Sequence, residues 1–418
     1  MLDRSPLPGG GAPREAAPPR PTAAPSAAPG AGEQNGLRQL VRKRVQDQLS
    51  TSGPYETQLD RAAQVALRMF GVKTVRLSLF DTNLEWERDT EQSTSPASAA
   101  RDVFDMAADS VPELLLVTDA SKDARFATSP LVVDEPRIRF YACAPIAEPS
   151  GRRVGSLRLM DVQPRVLTEP ELFILHELVD QIEKEVGYRQ ELERAAIVQR
   201  SLAPRAFTAV DGYDVAGLCS PARMVGGDFY DWYPTPRGAA FTLADVMGKG
   251  VGAAIVAATV RAVMRSGARN DDIGAALDAS TAALDIDADG APGFVTLFHA
   301  RLDAENGRIS YVDAGHGLAI IVSGASRTAR RLTSTDLPLG IGSEGEWQEH
   351  VEALEPGDSL VVVSDGVLDF FEGSLLALEE VEGVVLESRT AQEAVDEIVR
   401  RSSDGATDDI TAMVIRRL

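Results

Sequence analysis

Apolar positions along the chain change rhythm several times, and each change marks an element. Leu37, Val41, Val45 and Leu49 recur every fourth residue with Leu40 beside them, which predicts a helix over Leu37–Leu49. Leu59, Ala63, Val65, Ala66 and Met69 repeat the helical pattern across Tyr55–Phe70. Short apolar runs then predict strands at Val75–Phe80, Glu113–Asp119, Phe140–Ile146 and Val154–Asp161. Helical spacing returns over Leu167–Val186, with Thr168 as N-cap, Glu171 three residues on and Pro170 in the first turn. Helix, strands and closing helix describe an α/β sandwich over residues 37–186.

Between Val186 and Leu202 the segment VGYRQELERAAIVQRSL alternates charge with Val186, Leu192, Ala196 and Val198. Pro204 ends it, because the residue before proline is pushed out of the α region. Residues 187–204 therefore read as a helical linker, continuous with the preceding helix. It is either one strand of a two-stranded coiled coil or a single helix packed on its own domain. From residue 205 onward strands dominate: Tyr213–Ser220, Ala239–Val246, Phe294–Asp303, Arg308–Gly315, Leu318–Gly324, Asp358–Asp365 and Ile410–Leu418. Helical stretches Gly250–Gly267 and Asp272–Ile286 sit together after the second strand, and a third runs over about 390–401. Helices grouped in blocks among many strands make this half α+β and layered, not doubly wound.

Composition adds limits. Residues 1–36 are rich in Pro, Ala and Gly and cannot bury enough surface to offset ordering entropy, so they read as a disordered tail. The formal net charge of −21 over 418 residues excludes a general nucleic-acid binder. Cys143 and Cys219 lie in separate apolar runs and fit core positions in a reducing compartment better than a disulfide. The chain has no stretch long and apolar enough for a membrane span, and its N-terminus lacks the apolar core of a signal peptide; the expected location is the cytoplasm.

Chemistry concentrates in four acidic segments of the C-terminal half: GGDFYD (Gly226–Asp231), LADVMGKG (Leu243–Gly250), VVVSDG (Val361–Gly366) and TDDIT (Thr407–Thr411). In each, an Asp stands at the edge of a strand-like run beside glycine or another acid. Carboxylates at strand ends are hard oxygen ligands suited to Mg²⁺ or Mn²⁺, and paired ions can hold a phosphate and activate water against it. Any one motif alone is commonplace; an SDG is usually a turn and a TDD often a cap. All four in order point to a phosphatase.

Two resemblances sharpen this. FYACAPI, a turn at Gly151, VGSLRLMD and LTEPELFILHEL resemble the central strands, hairpin and closing helix of a GAF domain over residues 54–186. That implies a sensor for a small-molecule or protein signal, without naming the ligand; Cys143 reads as a core residue, not an attachment site. Residues from about 195 to 418 closely resemble the SpoIIE/RsbU-like branch of the PPM family, metal-dependent serine/threonine phosphatases related to type 2C. The implied fold is an α-β-β-α sandwich with a site for two Mn²⁺ or Mg²⁺ ions at one end of its sheets. By motif, Asp245 would bridge the metals, Val246 would offer its backbone carbonyl, and Asp365 and Asp408 would bind one ion. Asp228 would ligate directly or through water. Gly227, Asp231, His316, Gly366 and Asp409 would stand beside the site. His316 follows the family's AGH motif and is either a structural turn or the acid for the leaving group, whereas His176, His299 and His350 read as structural or exposed. A shared water would attack phosphorus, with no covalent nucleophile on the chain.

The resemblance further implies a phosphorylated STAS-domain anti-sigma-factor antagonist as substrate, in a stress or developmental signalling pathway, and a homodimer through the linker. The competing reading is a non-catalytic ligand sensor or scaffold on a degenerate phosphatase fold, which would have lost one or more of the acids.

Overall fold

The computed structural model describes residues 43, 55–79, 84–89, 103–110, 113–204, 210–267, 272–286, 293–333, 336–341, 347–369, 373–403 and 407–418. The N-terminal tail and the Leu37–Leu49 helix lie outside them, apart from residue 43. The chain divides into two compact units between Glu185 and Val186.

The first unit contains α1 (Tyr55–Phe70), β1 (Thr74–Leu79), β2 (Leu84–Asp89), α2 (Val103–Ser110), β3 (Leu115–Val117), α3 (Pro130–Val133), β4 (Phe140–Ala147), β5 (Arg153–Asp161) and the first half of α4 (Glu169–Leu202). Its five strands form one antiparallel sheet in the order β2-β1-β5-β4-β3. The expected helix at Tyr55–Phe70 and the two central strands are present. β2 and α2 were not expected: LEWERD carries charge at alternate positions, and VFDMAADS is a short, weakly periodic run. The predicted cap of α4 is realised, with the Thr168 N–H donating to Glu171 Oε2 at 2.7 Å and the Glu171 N–H donating back to Thr168 Oγ1 at 3.4 Å. α4 then continues without a break to Leu202, so the linker is the second half of one helix.

The second unit contains β6 (Tyr213–Ser220), β7 (Phe229–Thr235), β8 (Gly238–Val246), α5 (Val251–Ser266), α6 (Ile273–Ile286), β9 (Val295–Asp303), β10 (Arg308–Ala314), β11 (Ala319–Ser323), β12 (Thr328–Leu332), β13 (His350–Ala353), β14 (Ser359–Val363), α7 (Gly366–Asp369), α8 (Ala377–Glu387), α9 (Ala391–Ser402) and β15 (Ile410–Arg417). These strands make two antiparallel five-stranded sheets, β13-β10-β9-β8-β7 and β12-β11-β14-β15-β6. Side chains alternate faces along a strand, so each central strand serves two cores. Leu360 and Val362 of β14 point between the sheets, where they join Phe241, Phe298 and Met413. Val361 and Val363 point outward to α8 and α9. On the far side α5 and α6 cover Ala244, Leu297 and Val312. The order of layers is α-β-β-α.

α5 is rich in Ala and Val, and Ala253, Ala257, Val260 and Met264 form its buried stripe. A polar anchor supplements that stripe. Asp231 of β7, expected beside the metal site, is buried elsewhere: its carboxylate pairs with Arg265 at 2.8 Å and with Arg261 at 3.3 Å, both on α5. Three residues past Asp228 on an extended strand, it projects from the opposite face. Asp231→Ala should strand the partly buried Arg261 and lower the unfolding free energy by about 2 kcal/mol, read as a drop in the urea midpoint; an unchanged midpoint would show that the pair contributes nothing to stability.

Candidate metal-binding active site

Strand register brings the four acidic segments to one end of the second unit. β7 and β8 pair with Phe229 opposite Ala244, which sets Asp228 across from Asp245. In the other sheet Val363 of β14 lies opposite Ala412 of β15, so Asp365 leaves one strand where Asp408 and Asp409 enter the next. Ser364 locks that junction. Its N–H donates to Thr411 O at 2.8 Å, and its hydroxyl accepts from the Thr411 N–H at 2.8 Å while donating to Asp409 O at 3.1 Å. The sheets are tied together where Thr411 Oγ1 donates to Asp228 Oδ2 at 2.7 Å.

Asp409 organises the loop that carries Asp228. Its carboxylate accepts backbone N–H bonds from Ala222 at 2.8 Å, Gly227 at 2.7 Å and Asp228 at 3.4 Å. Gly226 is required by this approach, since a Cβ there would fall 2.3 Å from Asp409 Oδ2. A Cβ at Gly366 would fall 2.1 Å from the Asp409 carbonyl oxygen, and one at Gly227 would fall 2.8 Å from the Val246 carbonyl oxygen. All three glycines provide clearance for close-packed backbone; none adopts a positive φ.

The acids are graded by burial. Asp228 and Asp409 are buried, Asp245 and Asp408 half-buried, and Asp365 exposed. Burial, then the charge of Asp245, pushes the Asp228 carboxyl well above its ordinary range. Asp245 is raised to about 6 by burial and by the charges of Asp365 and Asp408, and it stands within hydrogen-bonding reach of Asp228. Asp365 is raised by burial and by Asp408 and Asp369. These carboxylates thus face one another with too little positive charge among them.

Three contacts at the site carry no signal in the apolar pattern. Gln199, near the end of α4, pairs its side-chain amide with the Gly226 backbone: Nε2 donates to the carbonyl at 2.7 Å and Oε1 accepts the N–H at 3.2 Å. Lys249 Nζ lies 2.8 Å from Asp408 Oδ2; its place between two glycines of LADVMGKG was the one available hint. Asp369, a turn beyond Asp365, accepts from Thr407 N at 3.1 Å and Thr407 Oγ1 at 2.8 Å. A cavity of about 310 Å³ opens beside Asp228, lined by Gln199, Leu218, Cys219, Tyr230 and Ala257 among others.

His316 is buried, and burial pushes its imidazole down to about 4 despite a hydrogen bond to the Val363 backbone. The backbone N–H of His316 donates to Asp313 Oδ1 at 2.7 Å, which fixes the DAGHG turn. His299 is likewise a core residue, its Nδ1 2.8 Å from Thr242 Oγ1.

The donor set fits a hard divalent cation: carboxylates from three strand ends and a carbonyl, mutually repelling without one. Among the described residues no three His, Cys, Asp or Glu side chains form a ready-made metal cage.

The profile of Stage II sporulation protein E (SpoIIE) matches residues 235–418, and that of the GAF domain matches residues 54–186. Residues 235–418 thus carry a domain similar to the SpoIIE-type serine/threonine phosphatases, and residues 54–186 one similar to GAF domains. Phosphoserine phosphatase RsbU of Bacillus subtilis is 27% identical over 253 residues, covering 58% of this chain and 74% of RsbU. Protein IcfG of Synechocystis is 27% identical over 220 residues, but the chain spans only 34% of its length. Among solved structures, the SiaA-PP2C domain of Pseudomonas aeruginosa superposes with a TM-score of 0.48 at 20% identity, covering 56% of this chain and 98% of that one. Phosphatases of the SpoIIE family are metal-dependent.

The crowded acids have a thermodynamic consequence. Folded Asp245 keeps its proton to about 6, whereas the unfolded residue releases it near 3.8. Between those values the folded chain binds the extra proton, so stability falls as pH rises across the window, and the full cost is present above about 6. Asp245→Asn should therefore stabilise the chelator-treated protein by about 2 kcal/mol near pH 7.5 and by little near pH 4, as read by urea unfolding at both. A destabilising effect at the higher pH would contradict the repulsion.

Proposed function

We propose that the SpoIIE domain is a metal-dependent phosphoserine/phosphothreonine protein phosphatase regulated through its GAF domain. The observation that carries this is the convergence of four separate acidic segments on one end of the two-sheet sandwich, with every acid of the expected set retained. Asp245, Asp365 and Asp408 would hold the metals, two Mn²⁺ or Mg²⁺ ions, with the Val246 carbonyl, and Asp228 would ligate directly or through water. Bound ions would supply positive charge for the phosphate and an acidified water for attack on it. The chain's own residues do the positioning. Asp409 and Thr411 set the Asp228 loop, Ser364 sets the Asp365 turn, and Gly227 leaves room for the Val246 carbonyl. The exposure of Asp365 leaves the site open to a protein-borne phosphate.

The substrate proposed is a phosphorylated STAS-domain antagonist of an anti-sigma factor, as the resemblance to the SpoIIE/RsbU-like branch implies, in cytoplasmic stress signalling. No described helix is long and apolar enough to cross a membrane. The second half of α4 is proposed as a dimerising coiled coil, because Tyr188 and Val198, spaced as a and d positions of one seam, are both more than half exposed on it. A non-catalytic scaffold is disfavoured by the intact acid set.

With Mn²⁺, the chain should release phosphate from a phosphoserine protein, and chelator should stop it. Asp365→Asn should cut that release by about two orders of magnitude while leaving circular dichroism unchanged; ordinary turnover in this variant would refute the assignment. Light scattering should return twice the monomer mass, falling to one monomer when Tyr188 and Val198 are both replaced by Lys. A monomeric parent chain would exclude the coiled coil.

A further inference from the structure

Lys249 occupies the place where positive charge is most wanted. It lies between Gly248, with φ of +102°, and Gly250, with φ of +83°, both in the left-handed region that favours glycine. This backbone path turns the chain out of β8 and into α5 while carrying Lys249 towards β15. There its ammonium makes two directed contacts, to Asp408 Oδ2 at 2.8 Å and to the Thr407 carbonyl at 2.7 Å. The Thr407 carbonyl is itself positioned, because Asp369 accepts from both the N–H and the hydroxyl of that residue. The charge of Lys249 is also felt at Asp365, where it opposes the rise caused by the other acids.

An ammonium and a divalent ion on the same carboxylate oxygen repel each other and compete for its lone pairs, and the other oxygen, Asp408 Oδ1, already accepts from the Asp409 N–H at 2.9 Å. We propose that Lys249 is a built-in competitor for the divalent cation at Asp408, one that holds this carboxylate in the metal-free chain and must swing off before Asp408 can ligate. The inference rests on the reading of Asp408 as a metal ligand. Lysine suits this role because it is a compact point charge on a flexible stem, and at about one-third exposure it is readily rehydrated on release. It neutralises part of the acid cluster when no metal is bound. It also raises the metal concentration at which the site fills.

The test is the affinity of the full chain for Mn²⁺ alone, without substrate, by isothermal titration calorimetry and by electron paramagnetic resonance of free Mn²⁺. Lys249→Met and Lys249→Gln should each bind Mn²⁺ roughly fivefold more tightly than the parent, the size expected of a partly exposed ion pair. Arg223→Gln removes a neighbouring charge that is felt at Lys249 through space; it should change the affinity less than twofold. Unchanged or weaker binding in the Lys249 variants would overturn the proposal, as would an equal shift in Arg223→Gln, which would reduce the effect to net charge. If neither the parent nor the variants bind Mn²⁺, the metal-site reading itself falls, and the competition with it.

Discussion

One carboxylate holds the site together. Asp409 sits at the mouth of β15, in one sheet, and accepts backbone N–H bonds from Ala222, Gly227 and Asp228, on the path into β7 of the other. A carboxylate satisfied by several amides is worth more than a neutral hydrogen bond, and a buried one cannot be withdrawn cheaply. Its requirements propagate outward. Gly226 and Gly366 must lack side chains because Asp409 and its carbonyl fill the space. Asp228 then stands opposite Asp245, and Thr411 closes the link between sheets. The sequence TDDIT therefore divides labour between adjacent acids: Asp408 faces the open site, and Asp409 fastens the scaffold.

The scaffold can hold such a set of like charges because stability comes from elsewhere. β14 and β15 feed two cores at once, and α5, α6, α8 and α9 cover both outer faces. Against that burial, a few kilocalories of carboxylate repulsion is tolerable.

Much of this was legible in sequence because it rests on periodicity. β6, β8 to β11, β14, β15, both halves of α4 and the α5–α6 pair all follow from apolar spacing, and the acids announce themselves by position and order. What escaped lacked such a signal. β7 was hidden inside GGDFYD, where the acids drew attention from the alternation of Phe229, Asp231 and Tyr233. β12 and β13 are edge strands, TARRL and HVEA, largely exposed and therefore polar. Asp231 illustrates the limit from the other side: its motif placed it near the site, and strand alternation turned it to the arginines of α5. Gln199 has no sequence cue, since its partner is a backbone 27 residues away.

The parts of the site differ in what holds them. Asp245, Asp365 and Asp408 leave or enter strands whose neighbours are fully buried, so apolar packing fixes their backbone. Asp228 rides on a glycine loop fixed by polar contacts: Asp409 and Thr411 on one side, the Gln199 amide on the other. Even charge-assisted hydrogen bonds contribute only about 2 kcal/mol each, less than the burial of a whole strand, so this loop is held less firmly than the strand-borne acids. It is also the member with open space beside it, in the cavity between α4, α5 and the β6–β7 strands. A rotation of the last turn of α4 would thus act on Gly226 and Asp228 before it reached Asp245, Asp365 or Asp408.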